Sequence, residues 1–157
     1  DEGEGFRHIE SCLPQILLCL SAEALGIMEV LNKLTVEYSK TRKQFGAPIG
    51  SFQALQHRMV DNFMAFEQSK SMVYRGICES TSFNKNDIDI NQFLKTAHAV
   101  KALIAKNSKQ IGDESIQIHG GIGMTDELNI GHFVKRLMMI NVLFGDGDFH
   151  RQCFSQN

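Results

Sequence analysis

The sequence predicts an all-α fold, an up-down antiparallel four-helix bundle occupying a single domain over residues 1–157. Three observations carry that expectation. Apolar residues recur three or four apart through four long stretches, which places them on one face of a helix. There are only two prolines, Pro14 and Pro48, and very few β-branched alternations. The breaks between the stretches are short, which favours antiparallel neighbours.

The first helix is read from about Ile9 to about Lys43. Leu13, Leu17, Leu20, Ala24, Ile27, Met28, Leu31, Thr35 and Tyr38 form its stripe, and Pro14 is tolerable there only near the first turn or at a kink. Ahead of it, Asp1-Glu2-Gly3-Glu4-Gly5-Phe6 reads as the tail of a turn and the start of a fragment. Gly46-Ala47-Pro48-Ile49-Gly50 breaks the helix, and Ser51 is a suitable N-cap for the second. That helix carries Phe52, Leu55, Met59, Phe63, Phe66, Val73 and Ile77 and runs to roughly Cys78. Ser80 to Asp89 is read as a polar loop, with Asp87 or Asp89 capping the third helix. Phe93, Ala97, Val100, Ile104, Ile111 and Ile118 make its stripe, and Leu128, Phe133, Val134, Leu137 and Ile140 give a shorter fourth helix. Apolar residues spread over more than one face of the first and third helices, so a second copy is expected to pack there.

Composition narrows the class. Forty-three per cent apolar and 22% charged residues are ordinary for a globular domain. A net charge of −2 leaves no basic footprint for nucleic acid. No apolar run approaches the ~20 residues of a membrane span, and no signal-peptide pattern opens the chain. Cys12, Cys19, Cys78 and Cys153 lie far apart without CxxC spacing. They read as buried or free thiols of a reducing compartment, so a cytoplasmic location is expected and a metal centre is not.

Two stretches bear on chemistry. Gln117-Ile118-His119-Gly120-Gly121-Ile122-Gly123-Met124-Thr125-Asp126-Glu127 joins two helical patterns. Its glycines permit positive φ and leave amides uncovered, and Thr125 can cap the next helix with Asp126 and Glu127 in the first turn. It reads either as a plain helix–helix turn or as a place where a nucleotide or another backbone comes close. The second stretch is Tyr38-Ser39-Lys40-Thr41-Arg42-Lys43-Gln44-Phe45-Gly46-Ala47-Pro48-Ile49. There Arg42 can serve a helix C-terminus, or offer its planar fork to a phosphate with Phe45 as an aromatic surface.

Taken together, Tyr-x-x-x-Arg-x-Gln-Phe-Gly, then Phe52-Gln53-x-x-x-His57, then Gln117-x-x-Gly-Gly-x-Gly, resemble the C-terminal domain of acyl-CoA dehydrogenases across essentially the whole chain. The resemblance implies a four-helix bundle preceded, in full-length members, by a helical domain and a middle β-domain. It implies FAD as cofactor, an acyl-CoA thioester as substrate and a homo- or hetero-oligomer built through the bundle, and leaves the electron acceptor open. Arg42, Gln44 and Phe45 match positions contacting the flavin's pyrophosphate and adenosine part, usually in a neighbouring subunit. Gln117, Gly120 and Gly121 match the turn receiving the adenine–ribose end, with Phe52 and Gln53 near the adenosine. His57 and His119 read as packing or hydrogen-bonding residues.

The resemblance departs at the base. The family's usual Glu, on Tyr-Glu-Gly-Thr, falls at Gly145 of Phe144-Gly145-Asp146-Gly147. The alternative Glu early in the first helix falls at Ile16, and a substrate-holding Arg at Leu17. Asp146, one residue along, is the nearest carboxylate and the candidate catalytic residue; His150 has less support. The Phe-Gly-Asp-x-Asp-x-His form resembles the smaller subunit of bacterial heteromeric enzymes of the pimeloyl-CoA type. Asp146 and Asp148 read equally well as caps of a chain turn. Two functions therefore stand: an FAD-dependent acyl-CoA dehydrogenase chain, or a non-catalytic helical assembly domain completing a partner's flavin site.

Overall fold

The computed structural model describes residue 3 and residues 5–156. It is a helical bundle: α1 (Gly5–Thr41), a two-residue hairpin of β1 (Lys43–Gln44) and β2 (Ala47–Pro48), a 3₁₀ turn (Ile49–Ser51), α2 (Gln53–Asn84) and α3 (Ile90–His119). A second 3₁₀ turn (Gly120–Met124), α4 (Ile130–Val142) and α5 (Gly147–Gln156) complete the described chain. The expected four helices are present and α5 is added to them. Of the opening turn, Asp1, Glu2 and Glu4 lie outside the described residues, whereas Gly5 and Phe6 already belong to α1. Pro14 therefore sits well inside that helix, where its ring removes one main-chain bond.

α3 is the axis of the bundle. It packs against α1, α2, α4 and α5, and all six residues of its expected stripe are buried. It carries none of the exposed large apolar side chains among the described residues, so its several apolar faces are covered by its own chain and not by a second copy. Among the described residues, exposed apolar side chains lie on α2 (Val60, Phe63, Met64, Tyr74, Ile77), on α1 (Phe6, Ile9, Val30, Leu34, Val36), and on α4 and α5 (Met138, Met139, Val142, Phe149, Phe154). On α2 the expected stripe is therefore only half right. Phe66 and Val73 are buried, but the rest of the inward face is Asn62, Ala65, Ser69 and Gly76. These small residues bring the helices together, and a Cβ on Gly76 would meet Leu18 Cδ2 at 2.4 Å. Asn107 on α3 ties the seam, its Nδ2 donating to Ala65 O and Ser69 Oγ, both at 3.0 Å.

Several boundaries differ for local reasons. α2 runs through the expected loop to Asn84. Ser51 does not cap it; its hydroxyl donates to Pro48 O at 2.6 Å within the 3₁₀ turn, and Phe52 holds the N-cap position. Asp89 does cap α3, accepting from Gln92 N at 2.8 Å. Thr125 does not cap α4; it closes the 3₁₀ turn instead, its hydroxyl donating back to Ile122 O, and α4 starts five residues later. α1 is, over His8–Thr41, long and apolar enough to cross a membrane by length and composition. Its Leu17, Ala24, Met28 and Leu31 are fully buried in the bundle.

Candidate functional site

The hairpin after α1 makes one wall of a cavity. Phe45 and Gly46 form a two-residue loop with φ of +52° and +81°, the left-handed pair a tight hairpin needs. Glycine accepts that geometry freely, but for a phenylalanine it is strained. The strain presents the Phe45 ring to solvent, 94% exposed, edge-on to Phe52 at 6.2 Å. Arg42 leads into the hairpin, its N–H donating to Tyr38 O and its carbonyl accepting from Ile49 N. Its guanidinium makes no hydrogen bond or ion pair with any described residue, so the charge is available.

The opposite wall is the end of α3 and the glycine turn. Gly120 leaves the helix at φ +66°, and a Cβ on Gly120 or Gly121 would have nothing within 4 Å. Gly123 behind them is packed tight: a Cβ there would meet His119 Cβ at 2.9 Å. His119 anchors the turn. Its Nδ1 faces Ser115 O at 2.7 Å, the donor geometry of an Nδ1–H tautomer, and its ring stacks on Tyr38 at 4.3 Å. Burial pushes its pKa down, against a smaller rise from the Ser115 carbonyl. It is a neutral packing residue. Tyr38 closes the corner by donating to His119 O at 3.3 Å.

Between these walls lies an open cavity of about 580 Å³. Seven of the eight expected cofactor contacts line it: Arg42, Gln44, Phe45, Phe52, Gln117, Gly120 and Gly121. Gln53 does not; as the first residue of α2 it faces solvent. His57 is likewise exposed and unbonded, neither packing nor hydrogen-bonding. The sequence reading missed Arg58, which reaches the cavity from α2 while its Nε pairs with Glu114 of α3 at 2.5 Å. Its signal would have been a cation directly after His57, at the end of the Phe52 motif.

Asp146 lies elsewhere. Gly147 packs on Ala105, roughly 20 Å along α3 from Gln117, and Asp146 borders a separate depression with Asp148, Arg151 and Asn141. Its Oδ1 accepts from Phe149 N at 2.8 Å, the N-cap of α5. Asp148 pairs with Arg151 at 3.0 Å. Beneath this turn is a buried polar cluster that no motif announced. His98 Nδ1 and His150 Nδ1 are 2.7 Å apart, which requires one ring to donate and the other to accept. Lys101, fully buried, donates to Ile140 O at 2.6 Å near the C-terminal end of α4 and lies 3.5 Å from Gly145 O. Burial lowers Lys101 to about 8 despite Asp146, and burial with the neighbouring His98 and Lys101 lowers His150 to about 4. Gly145 has φ +112°, and a Cβ there would meet Phe149 Cδ1 at 2.4 Å and His150 Nε2 at 3.1 Å.

Comparison with known proteins gives the family of the fold. The family model described as acyl-CoA dehydrogenase, C-terminal domain, matches residues 3–157. Acyl-CoA dehydrogenase IpdE2 of Mycolicibacterium smegmatis is 40% identical over 119 residues, 76% of this chain and 34% of its own. The structure of butyryl-CoA dehydrogenase from Megasphaera elsdenii superposes with a TM-score of 0.88 at 25% identity, covering 99% of this chain and 39% of that one. A structure of PigA with FAD and proline gives 0.86 at 28% identity, covering 99% and 39%. The chain thus spans between 34% and 39% of the length of these relatives. With one family model running the length of the bundle, the chain belongs to the acyl-CoA dehydrogenase family, as its C-terminal domain.

Proposed function

We propose that this chain is the C-terminal domain of an FAD-dependent acyl-CoA dehydrogenase of the smaller-subunit, heteromeric kind, acting with upstream helical and β domains. It works as an oligomer, in the cytoplasm, where the exposed, unbridged Cys12, Cys19 and Cys78 suit a reducing environment. The observation that carries the reading is the mouth of the cavity. A strained, exposed Phe45 stands beside an unpaired Arg42, facing a turn that glycine leaves bare. These residues fit a dinucleotide: the guanidinium for the diphosphate, Phe45 and Phe52 as surfaces for the adenosine, and Gln44, Gln117, Gly120 and Gly121 as its polar edge. Gln53 is proposed to join them only through its exposed side chain at the rim. The cavity is open to one side, as a flavin held mainly by a neighbouring subunit requires.

FAD, when bound, takes the hydride that leaves the β-carbon of an acyl-CoA thioester. This chain's part is to hold the nucleotide and to remove the α-proton, for which Asp146 is the proposed base, its Oδ2 being free of the capping bond. One observation favours a second reading, in which the chain completes a partner's site without doing the chemistry. The space a side chain at Gly145 would use is filled by Phe149.

The test is FAD retention by the full-length protein. Arg42→Ala removes a charge-assisted pair of about 1.5–3 kcal/mol, so the variant should lose flavin on dialysis with helix content unchanged. A variant that stays as yellow as wild type refutes the cofactor assignment. Flavin bleaching by acyl-CoA that is abolished in Asp146→Asn supports the first reading of the base, and bleaching that needs an added partner subunit supports the second.

A further inference from the structure

Among the described residues, Lys101 is the one lysine or arginine buried in the core. An ammonium taken out of water is costly to keep unless it is well partnered. Among the described residues no carboxylate bonds it. Its Nζ donates to two main-chain carbonyls instead, Ile140 O at 2.6 Å and, at the limit of a hydrogen bond, Gly145 O at 3.5 Å. The two carbonyls belong to different parts of the chain. Ile140 lies in the last turn of α4, where carbonyls lack helical partners and a cation suits the dipole. Were α4 to run on, Phe144 N would take that carbonyl. Leu143 turns extended at ψ 128° and Phe144 to φ +60°, and the ammonium takes it. Gly145 follows at φ +112°. For Phe144 a positive φ is strained, and such a conformation persists only where its surroundings hold it.

α3 grips this corner a second time. His98 lies three residues before Lys101, on the same face. Its Nδ1 stands 2.7 Å from His150 Nδ1, and the His150 main-chain N–H donates to Asp146 O at 3.1 Å. The carboxylate whose charge acts on Lys101 is that of Asp146. An apolar side chain of the same length would fill the space without losing an ion's hydration, but it could not hold two carbonyls at once. We propose that Lys101 is a positioning residue: it clamps the Phe144–Asp146 corner to the end of α4 and so fixes the place of Asp146. The clamp works through the main chain and touches no substrate, so burial is its condition. Its bearing on catalysis rests on the proposed function, whereas the clamp itself does not.

The test is Lys101→Met in the full-length protein with its flavin and partner subunit, read by amide hydrogen exchange and by flavin bleaching with acyl-CoA. Methionine keeps the unbranched stem and removes the ammonium. Exchange over residues 143–150 should quicken at least about tenfold, as the loss of a hydrogen bond to a charged group implies, while α1 and α2 exchange as in wild type. The maximal bleaching rate should fall about 10²-fold, the effect of a misplacement of about 1 Å. FAD content and the half-saturating acyl-CoA concentration should stay unchanged. Lys101→Gln returns an N–H donor without the charge or the reach. It should fall between wild type and Lys101→Met, and it carries the test if the methionine variant does not fold. Exchange that rises throughout the bundle marks a core residue only and overturns the clamp, as does corner exchange equal to wild type. Asp146→Asn separates the two readings. If it bleaches as fast as wild type, the base assignment fails and corner exchange in Lys101→Met still decides the clamp. If it is slow while Lys101→Met keeps the wild-type rate, the base stands and the positioning role is overturned.

Discussion

Gly145→Ala probes why this chain lacks the family's usual glutamate. The residue sits at φ +112°, where L side chains are rare, and holding alanine there costs about 1–3 kcal/mol. The added Cβ would stand 2.4 Å from Phe149 Cδ1, an overpacking of about 1–3 kcal/mol if the ring stays. Phe149 is half exposed and can turn outward, so the two costs sum only if its packing on His98 holds it. With Phe149 held in place, Gly145→Ala should therefore destabilise by about 2–6 kcal/mol, and in a Phe149→Ala background by only the backbone share, about 1–3 kcal/mol. Urea unfolding of the four proteins of this cycle measures both. A Gly145→Ala protein within about 0.5 kcal/mol of wild type would refute the reasoning. Equal costs in the two backgrounds would show that Phe149 does not occupy the site. Installing a glutamate at this position accordingly needs Phe149 turned outward or removed.

Acid should unlock the cluster beneath that turn. His150 is held at about 4 and His98 is also lowered, both first by burial, whereas an unfolded histidine titrates near 6.5. Between those values the unfolded state binds more protons, so stability falls as pH drops from about 6.5 towards 4 and levels off below. The contribution of His150 is about 3 kcal/mol, and His150→Leu should flatten that part of the urea-midpoint profile relative to wild type. Asp89→Ala removes the bond to Gln92 N that caps α3 and should cost about 0.5–2 kcal/mol in the same assay.

The large, regularly spaced side chains made the bundle legible. The stripe of α3 is buried residue for residue because those positions are apolar, mostly large, and inward. α2 misled because its inward face is built from Ala65, Ser69 and Gly76, whose smallness permits close packing but carries no hydrophobic signal, while large Phe63 and Ile77 point out. α5 escaped for a similar reason, since only His150 of its residues is buried. The cap positions of α2 and α4 were misplaced because 3₁₀ turns absorb Ser51 and Thr125 first. The cavity was readable because its walls are short contiguous motifs at two helix ends. Arg58 and the cluster of His98, Lys101 and His150 were not, because each is assembled from helices distant in sequence and single residues carry no spacing.

The central position of α3 makes it a ruler as well as a core. Its C-terminal end presents the bare turn of Gly120 and Gly121, and its earlier turns carry His98 and Lys101 under the Phe144–Asp146 corner. Because one unbroken helix joins them, their separation and their relative azimuth are set by residue count, at 1.5 Å and about 100° per residue. Any ligand spanning both places must match that length and phase. One residue inserted midway would swing the turn a quarter-circle away from the corner, leaving each place intact and the pair out of register.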